Sequence, residues 1–204
     1  MNYNSLSPKE TIEKTIAALK KRGVNAELVN TRAEALEKIK TKIPTGAEVM
    51  TGSSITLEEI GFIDLLKSGQ HQWNNLKDKI IAEKDPLTQS KLRQNSVTAD
   101  YFLGSIHAIT EEGEILVASA TGSQLPSYVF SSNHVIWVVG AQKIVPTLAD
   151  GFERIYKYVF PLEDQRMKNA GYPGSVIGKI LLFERETLPD RQLSLIFVNE
   201  ILGF

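Results

Sequence analysis

The sequence contains no cysteine. That absence excludes disulfides, a thiolate nucleophile, cysteine-ligated zinc and any iron–sulfur cluster held by thiolates of this chain. It also lacks an excess of either charge, with 23 Lys and Arg against 24 Asp and Glu. A near-neutral chain matches a polyanion poorly, so nucleic acid is not expected as a partner. Its basic run, Lys20, Lys21 and Arg22, falls at a predicted helix end, where cations meet the helix dipole favourably.

No apolar run approaches the ~20 residues needed to cross a bilayer. The opening residues Met1 to Glu10 lack the basic-then-apolar order of a secretory signal. A cytoplasmic address without membrane insertion is the expectation. No Gly-x-Gly-x-x-Gly follows the opening strand and no Gly-Lys-Ser/Thr loop occurs, so the usual marks of dinucleotide and P-loop sites are missing. The three histidines, His71, His107 and His134, are far apart, and none is helix-paired with Asp or Glu at ligand spacing. Neither a metal nor a cofactor is expected.

What the sequence does have is 42% hydrophobic residues over 204 positions, enough for a sizeable core. Ser7, Pro8 and Glu10 carry the signature of a capped helix start, and Ile12, Ile16 and Leu19 recur at helical spacing up to Gly23. Strands are predicted at 24–29 and 48–51, with a helix between them opened by Thr31 and Glu34. Thr56 and Glu59 repeat the capping spacing for a helix ending near Gly69. Residues 70–98 are polar and irregular, broken by Pro86, and read as either a surface excursion or a lid.

From Asp100 to Thr110 the pattern is that of a strand, followed by a tight connection at Gly113 and a second strand. His134 to Val139 is almost continuously apolar, as a strand buried on both faces should be. A long helix is predicted from about Thr147 to Lys168. Residues 179–183 and 192–198 read as a closing hairpin. The alternation of helices and strands indicates an α/β sandwich with a mostly parallel sheet. One domain over 1–204 is expected, with residues 1–22 as an N-terminal helical portion.

Two loops of small residues stand out. Gly52, Ser53, Ser54 and Thr56 follow the second strand, and Gly122, Ser123 and Gln124 follow the strand after Gly113. Glycines let the backbone approach a ligand, and the hydroxyls and N–H groups suit an anion. Lys143, just beyond the buried strand, is a cation for the same ligand. In a parallel sheet all three would meet at strand carboxyl ends, where ligand crevices form. Glu112 and Glu114, beside Glu111 at the Gly113 turn, are candidates for a base or nucleophile, or simply charges on a solvated turn. His107 is the best placed of the three histidines for catalysis, though a core or cleft-edge role fits it better.

The segments 50–56, 99–110, 121–124, 138–145 and 195–203 occur in an order that resembles the LUD domain family, the lactate-utilisation proteins of the LutC/YkgG type. The resemblance implies a fold like that of ribose-phosphate isomerases, glucosamine-phosphate deaminases and CoA transferases (the NagB/RpiA-like fold). It also implies a role in oxidising L-lactate to pyruvate beside subunits that carry iron–sulfur clusters. The chain departs from the isomerases at Gly104 to His107, where their acidic motif is missing, and it lacks the glutamate string of CoA transferases. Residues 170–179 hold none of the cysteines that some LUD proteins have there.

Three readings follow. The first is a subunit binding a small anionic metabolite in support of lactate oxidation. The second is a free-standing isomerase or acyltransferase acting on a phosphorylated or acyl substrate. The third is a non-catalytic assembly subunit of an oxidoreductase complex. A homo-oligomer is compatible with each.

Overall fold

A computed structural model describes residues 2–204; Met1, the first residue of the expected helical portion, lies outside the described residues. Six parallel strands form the main sheet: β1 (Val24–Val29), β2 (Glu48–Thr51), β3 (Asn74–Asn75), β4 (Tyr101–Gly104), β7 (His134–Gly140) and β10 (Gln192–Val198). Their spatial order is β1-β10-β7-β4-β2-β3. A second sheet of β5 (Ala108–Thr110), β6 (Ile115–Ser119), β8 (Ile144–Val145) and β9 (Lys179–Phe183) runs β8-β5-β6-β9 and is largely antiparallel. The molecule is thus an α/β sandwich whose main sheet is wholly parallel.

The period-2 rule of strands explains the layering. On β7, Val135, Trp137 and Val139 enter the core between the two sheets, which also takes Ile109, Ile115, Val117 and Phe183. Ile136 and Val138 point the other way, onto Leu57, Phe62 and Ile39. Those residues come from the helices α2 (Arg32–Lys42), α3 (Ile55–Glu59) and α4 (Phe62–Ser68). Helix α1 (Lys9–Lys21) buries Ile12 and Leu19 in the inter-sheet core. Complete burial of each such aliphatic or aromatic side chain contributes about 1.5–3 kcal/mol before entropy is counted.

Three local expectations are corrected. First, Ser7 makes no side-chain cap; Pro8 occupies the N-cap of α1. Second, Asp100 to Thr110 is two strands, not one. β4 ends at Gly104, and the chain crosses through Ser105 to His107 into the second sheet. The alternation of apolar residues continues through the crossing, so periodicity alone cannot see it.

Third, β9 and β10 do not form a hairpin. β9 is the edge partner of β6, whereas β10 lies between β1 and β7. Burial explains the split: Leu195 to Val198 are all buried, while β9 has mostly partly exposed positions. Residues 70–98, open to a surface excursion or a lid, keep off the wall of the cavity described below, although Lys77 Nζ donates to the Gly52 carbonyl at 3.4 Å. They form β3, α5 (Leu76–Ala82) and α6 (Pro86–Asn95), with Pro86 in the first turn of α6.

The predicted long helix is present with one interruption. α7 (Leu148–Arg154) passes through a single wide π turn, Ile155–Val159, into α8 (Phe160–Asn169). Pro161, which has no N–H to donate to the preceding turn, follows directly. Such turns concentrate at functional sites, and Ile155 and Val159 face the cavity.

Trp137 is fully buried, whereas Leu182 on β9 is 37% exposed. Trp137→Ala is expected to cost about 3–5 kcal/mol and Leu182→Ala at most about 0.5 kcal/mol. Urea unfolding will show this as a lower midpoint at unchanged slope for the first variant only.

Candidate functional site

A cavity of about 310 Å³ lies where the carboxyl ends of β2, β4 and β7 face the end of β6. The expected loops do meet. Gly52, Ser53, Ser54 and Thr56 form one wall and Ser123 and Gln124 the other, with Lys143 at the inner end. A Cβ on Gly52 would stand 3.6 Å from the Cβ of Gln124, so the walls touch where the first loop begins.

The chemistry centres on Lys143. Its side chain is only 2% exposed. Nζ donates to Thr56 Oγ1 at 3.2 Å, Ser105 Oγ at 3.1 Å and the Ile106 carbonyl at 3.2 Å. All three acceptors are neutral, and no carboxylate among the described residues comes within ion-pair range of Nζ. Burial, reinforced by the Arg154 guanidinium, pushes the Lys143 ammonium down to about 7, with Glu59 pulling weakly the other way.

Ser54, not Thr56, caps α3, its Oγ accepting from the Leu57 N–H at 3.3 Å. The capping role expected of Thr56 therefore falls two residues earlier, and its hydroxyl is free to meet Lys143. Helix α3 has only five residues. Its dipole adds little, and the hydroxyls and the lysine carry the electrostatics instead.

The second loop differs from expectation in two ways. β6 belongs to the smaller sheet, so the loop closes the cavity from the opposite side rather than lying at a parallel strand end. Its donors are also largely consumed internally: the Gly122 N–H donates to Ser119 Oγ at 2.9 Å, and Ser119 Oγ donates to Gln124 Oε1 at 3.0 Å. Gly122 itself packs against Lys179 rather than lining the cavity. Ser123 and the Gln124 amide remain as the loop's polar surface.

His107 lines the cavity. Its Nδ1 accepts the Ala118 N–H at 3.1 Å, which leaves the hydrogen of the neutral ring on Nε2. Burial, then Lys143 and Arg154, drive its imidazolium down to about 3, so the ring stays neutral throughout the physiological range. It is a fixed polar wall and a poor proton shuttle near neutral pH.

Glu112 and Glu114 lie elsewhere. Glu111 and Glu112 bind Lys14 of α1 at 3.1 and 3.0 Å, and Glu114 binds Arg22 at 2.6 Å and accepts from Thr110 Oγ1. Burial alone would raise the Glu114 carboxyl, but Thr110, its own backbone N–H and Arg22 outweigh it and hold it below the usual range. The three glutamates fasten the β5–β6 turn to α1, and none lines the cavity.

Several neighbours escaped the sequence reading. Gly104 is the sole residue type that fits its position, because a Cβ would collide with Tyr128 Oη. Arg154 is fully buried on the inward face of α7 and donates through Nη1 to the His107 carbonyl. Its guanidinium stands 5.2 Å from the Tyr158 ring and 5.8 Å from the Tyr3 ring, while Nε and Nη2 have no partner. A charged residue one position before Ile155, on the stripe shared with Gly151, was the available signal. At the mouth, Arg166 pairs with Glu163 through two contacts of 2.7 Å. Gly203 seals the inner end: its N–H donates to Glu59 at 2.7 Å, and a Cβ there would stand 2.5 Å from Thr56 Oγ1.

The electrostatics predict a pH dependence with a definite sign. Lys143 titrates near 7 when folded and near 10.4 when unfolded. Between those values the unfolded chain binds more protons, so stability rises with pH; below about 7 both states are charged and this slope vanishes. Lys143→Met should flatten the rise in unfolding free energy between pH 7 and 10 by a few kcal/mol, measured by urea denaturation at each pH.

No curated protein matches the chain. Among solved structures, a DUF162 family protein from Deinococcus radiodurans superposes with a TM-score of 0.57 at 16% identity, covering 96% of this chain and 100% of that one. The likeness is one of fold. The delta subunit of eIF2B from Chaetomium thermophilum has a TM-score of 0.35 at 13% identity over 70% of this chain and 55% of that one, too remote to inform the site. No helix among the described residues is long and apolar enough to cross a membrane. The LUD domain matches residues 12–178, most of the sequence and nearly all of the cavity wall, so the chain belongs to the LUD domain family, with the lactate-utilisation association that the family carries.

Proposed function

We propose that the cavity binds a small carboxylate-bearing metabolite and that the protein is the anion-binding subunit supporting oxidation of L-lactate to pyruvate. The observation that carries this reading is the buried Lys143 amine, held by three neutral oxygens with no carboxylate beside it. A buried ammonium without a counter-charge is costly, and a ligand carboxylate offsets that cost. Ser53, Ser54, Ser123 and Gln124 add neutral hydrogen-bonding groups for the rest of the ligand, and Gly52 lets the backbone come close. At about 310 Å³ the space lies at the small end of ligand sites. That suits a three-carbon acid better than an acyl-CoA.

The two electrons released by lactate oxidation need an acceptor, and this cysteine-free chain has no thiolates to hold an iron–sulfur cluster. Partner subunits bearing iron–sulfur clusters would supply it. A free-standing isomerase or acyltransferase with Glu112 or Glu114 at its centre gains no support, since both carboxylates are engaged with α1 and its C-terminal Arg22.

Calorimetry tests the reading. L-Lactate and pyruvate should each bind, with proton uptake above pH 7 as Lys143 becomes charged against the ligand, read from binding heats in buffers of different ionisation enthalpy. Lys143→Met should weaken binding by roughly a hundredfold, and Glu112→Gln should leave it unchanged. Absence of binding by both acids, or equal affinity in Lys143→Met, would contradict the reading.

A further inference from the structure

We infer that Lys143 holds a 2-oxo acid covalently, as an imine between Nζ and the ligand's 2-carbon, so that the cavity distinguishes a 2-oxo acid from the corresponding 2-hydroxy acid. The inference rests on the anion-binding reading above and adds a bond to it. Its geometric basis is the surroundings of Nζ. The amine closes the inner end of the cavity, and two of its three partners are hydroxyls, Thr56 Oγ1 at 3.2 Å and Ser105 Oγ at 3.1 Å. A lysine used for electrostatics alone commonly faces a carboxylate, which keeps it protonated and unreactive. This one faces none, and the fully buried Arg154 adds a second positive charge nearby. Desolvation next to another cation is the arrangement that activates lysine as a nucleophile. At pH 7 about half of Lys143 is free base, whereas an ordinary lysine near 10.4 holds less than about one part in a thousand.

The step balances without any oxidant or reductant. The Nζ lone pair attacks the 2-carbon, forming the C–N bond, while the carbonyl π electrons move to oxygen. That oxygen takes a proton from nitrogen, relayed by the Ser105 or Thr56 hydroxyl, to give a carbinolamine. A second proton, taken up from solvent water, goes onto the same oxygen, which leaves as water as the C=N bond forms. The incoming carbonyl takes the place of one hydroxyl at Nζ, and the Ile106 carbonyl and the other hydroxyl keep the nitrogen in position. The iminium that results is positive, and the ligand's own carboxylate, one bond from the reacting carbon, neutralises it. A simple aldehyde brings no such charge, so a 2-oxo acid is the class that fits. A 2-hydroxy acid has no carbonyl carbon and stays an ion pair.

The test uses the intact wild-type chain, so no variant need fold. The protein is incubated at pH 7 with pyruvate or with L-lactate, treated with sodium borohydride, and mapped by peptide mass spectrometry. The expected result is a reduced pyruvate adduct at Lys143, exceeding that at exposed lysines such as Lys9 by roughly a hundredfold or more, and none with lactate. Trapping at Lys143 should reach its plateau just above pH 7, while exposed lysines continue to gain up to about pH 10. Calorimetric binding of pyruvate with no adduct at Lys143 would overturn the imine and leave the anion site standing. Labelling spread evenly over surface lysines would also overturn it. Failure of both acids to bind would remove the anion site itself, a separate outcome.

Discussion

The structure turns on the placement of one amine in a space without a matching negative charge. Lys143 reaches its place because three chain segments end together. β2 delivers Thr56 through its loop, β4 delivers Ser105 and Ile106 through its crossing to the second sheet, and β7 delivers the lysine itself. Side chains pack on both faces of each strand, with Met50 of β2 only partly buried, so the three ends cannot drift independently. The polar cost of the site is carried by apolar packing a few residues away. Ile136 and Val138 pack against one layer, and Trp137 and Val139 against the other.

Charge is sorted by depth. Lys143 and Arg154 lie inside, each without a carboxylate partner, and the neutral His107 ring stands at the cavity wall. The carboxylates are farther out: Glu58, which also lines the cavity, is exposed, Glu163 is engaged with Arg166 at the mouth, and the exposed Glu59 holds the Gly203 N–H. Arg154 tolerates burial through the His107 carbonyl and the two tyrosine faces, a weaker compensation than an ion pair. Its field adds to that of Lys143, and burial, then both cations, depress the charging of His107. An interior arranged in this way attracts an anion and keeps its lysine close to the point of losing a proton.

Much of this was legible in the residues. The run from His134 to Val139 announced a doubly buried strand, and the small-residue loop at 52–56 does converge on one cavity with Ser123, Gln124 and Lys143, though Gly122 does not. What escaped detection depends on contacts between distant segments. The crossing at Ser105 keeps the alternating pattern of a strand, so two stacked sheets read as one continuous element. The closing residues 192–198 pair with strands far away in sequence, which spacing cannot reveal. Thr56 looked like a helix cap because the capping spacing fits it, yet Ser54 caps the helix and frees Thr56 for the lysine. Glu112 and Glu114 resembled reactive carboxylates because their cationic partners lie some ninety residues earlier, on α1 and at its end. Arg154 was hidden in an amphipathic pattern that its aromatic neighbours make tolerable.

The most direct test is the titration of Lys143 itself, followed by NMR of the protein with isotope-labelled lysine side chains and assigned by comparison with Lys143→Met. One ε-methylene signal should titrate near pH 7 and move to higher pH when L-lactate is added. A Lys143 signal that titrates near 10, as an ordinary lysine does, and does not respond to lactate would refute a buried amine without a counter-charge.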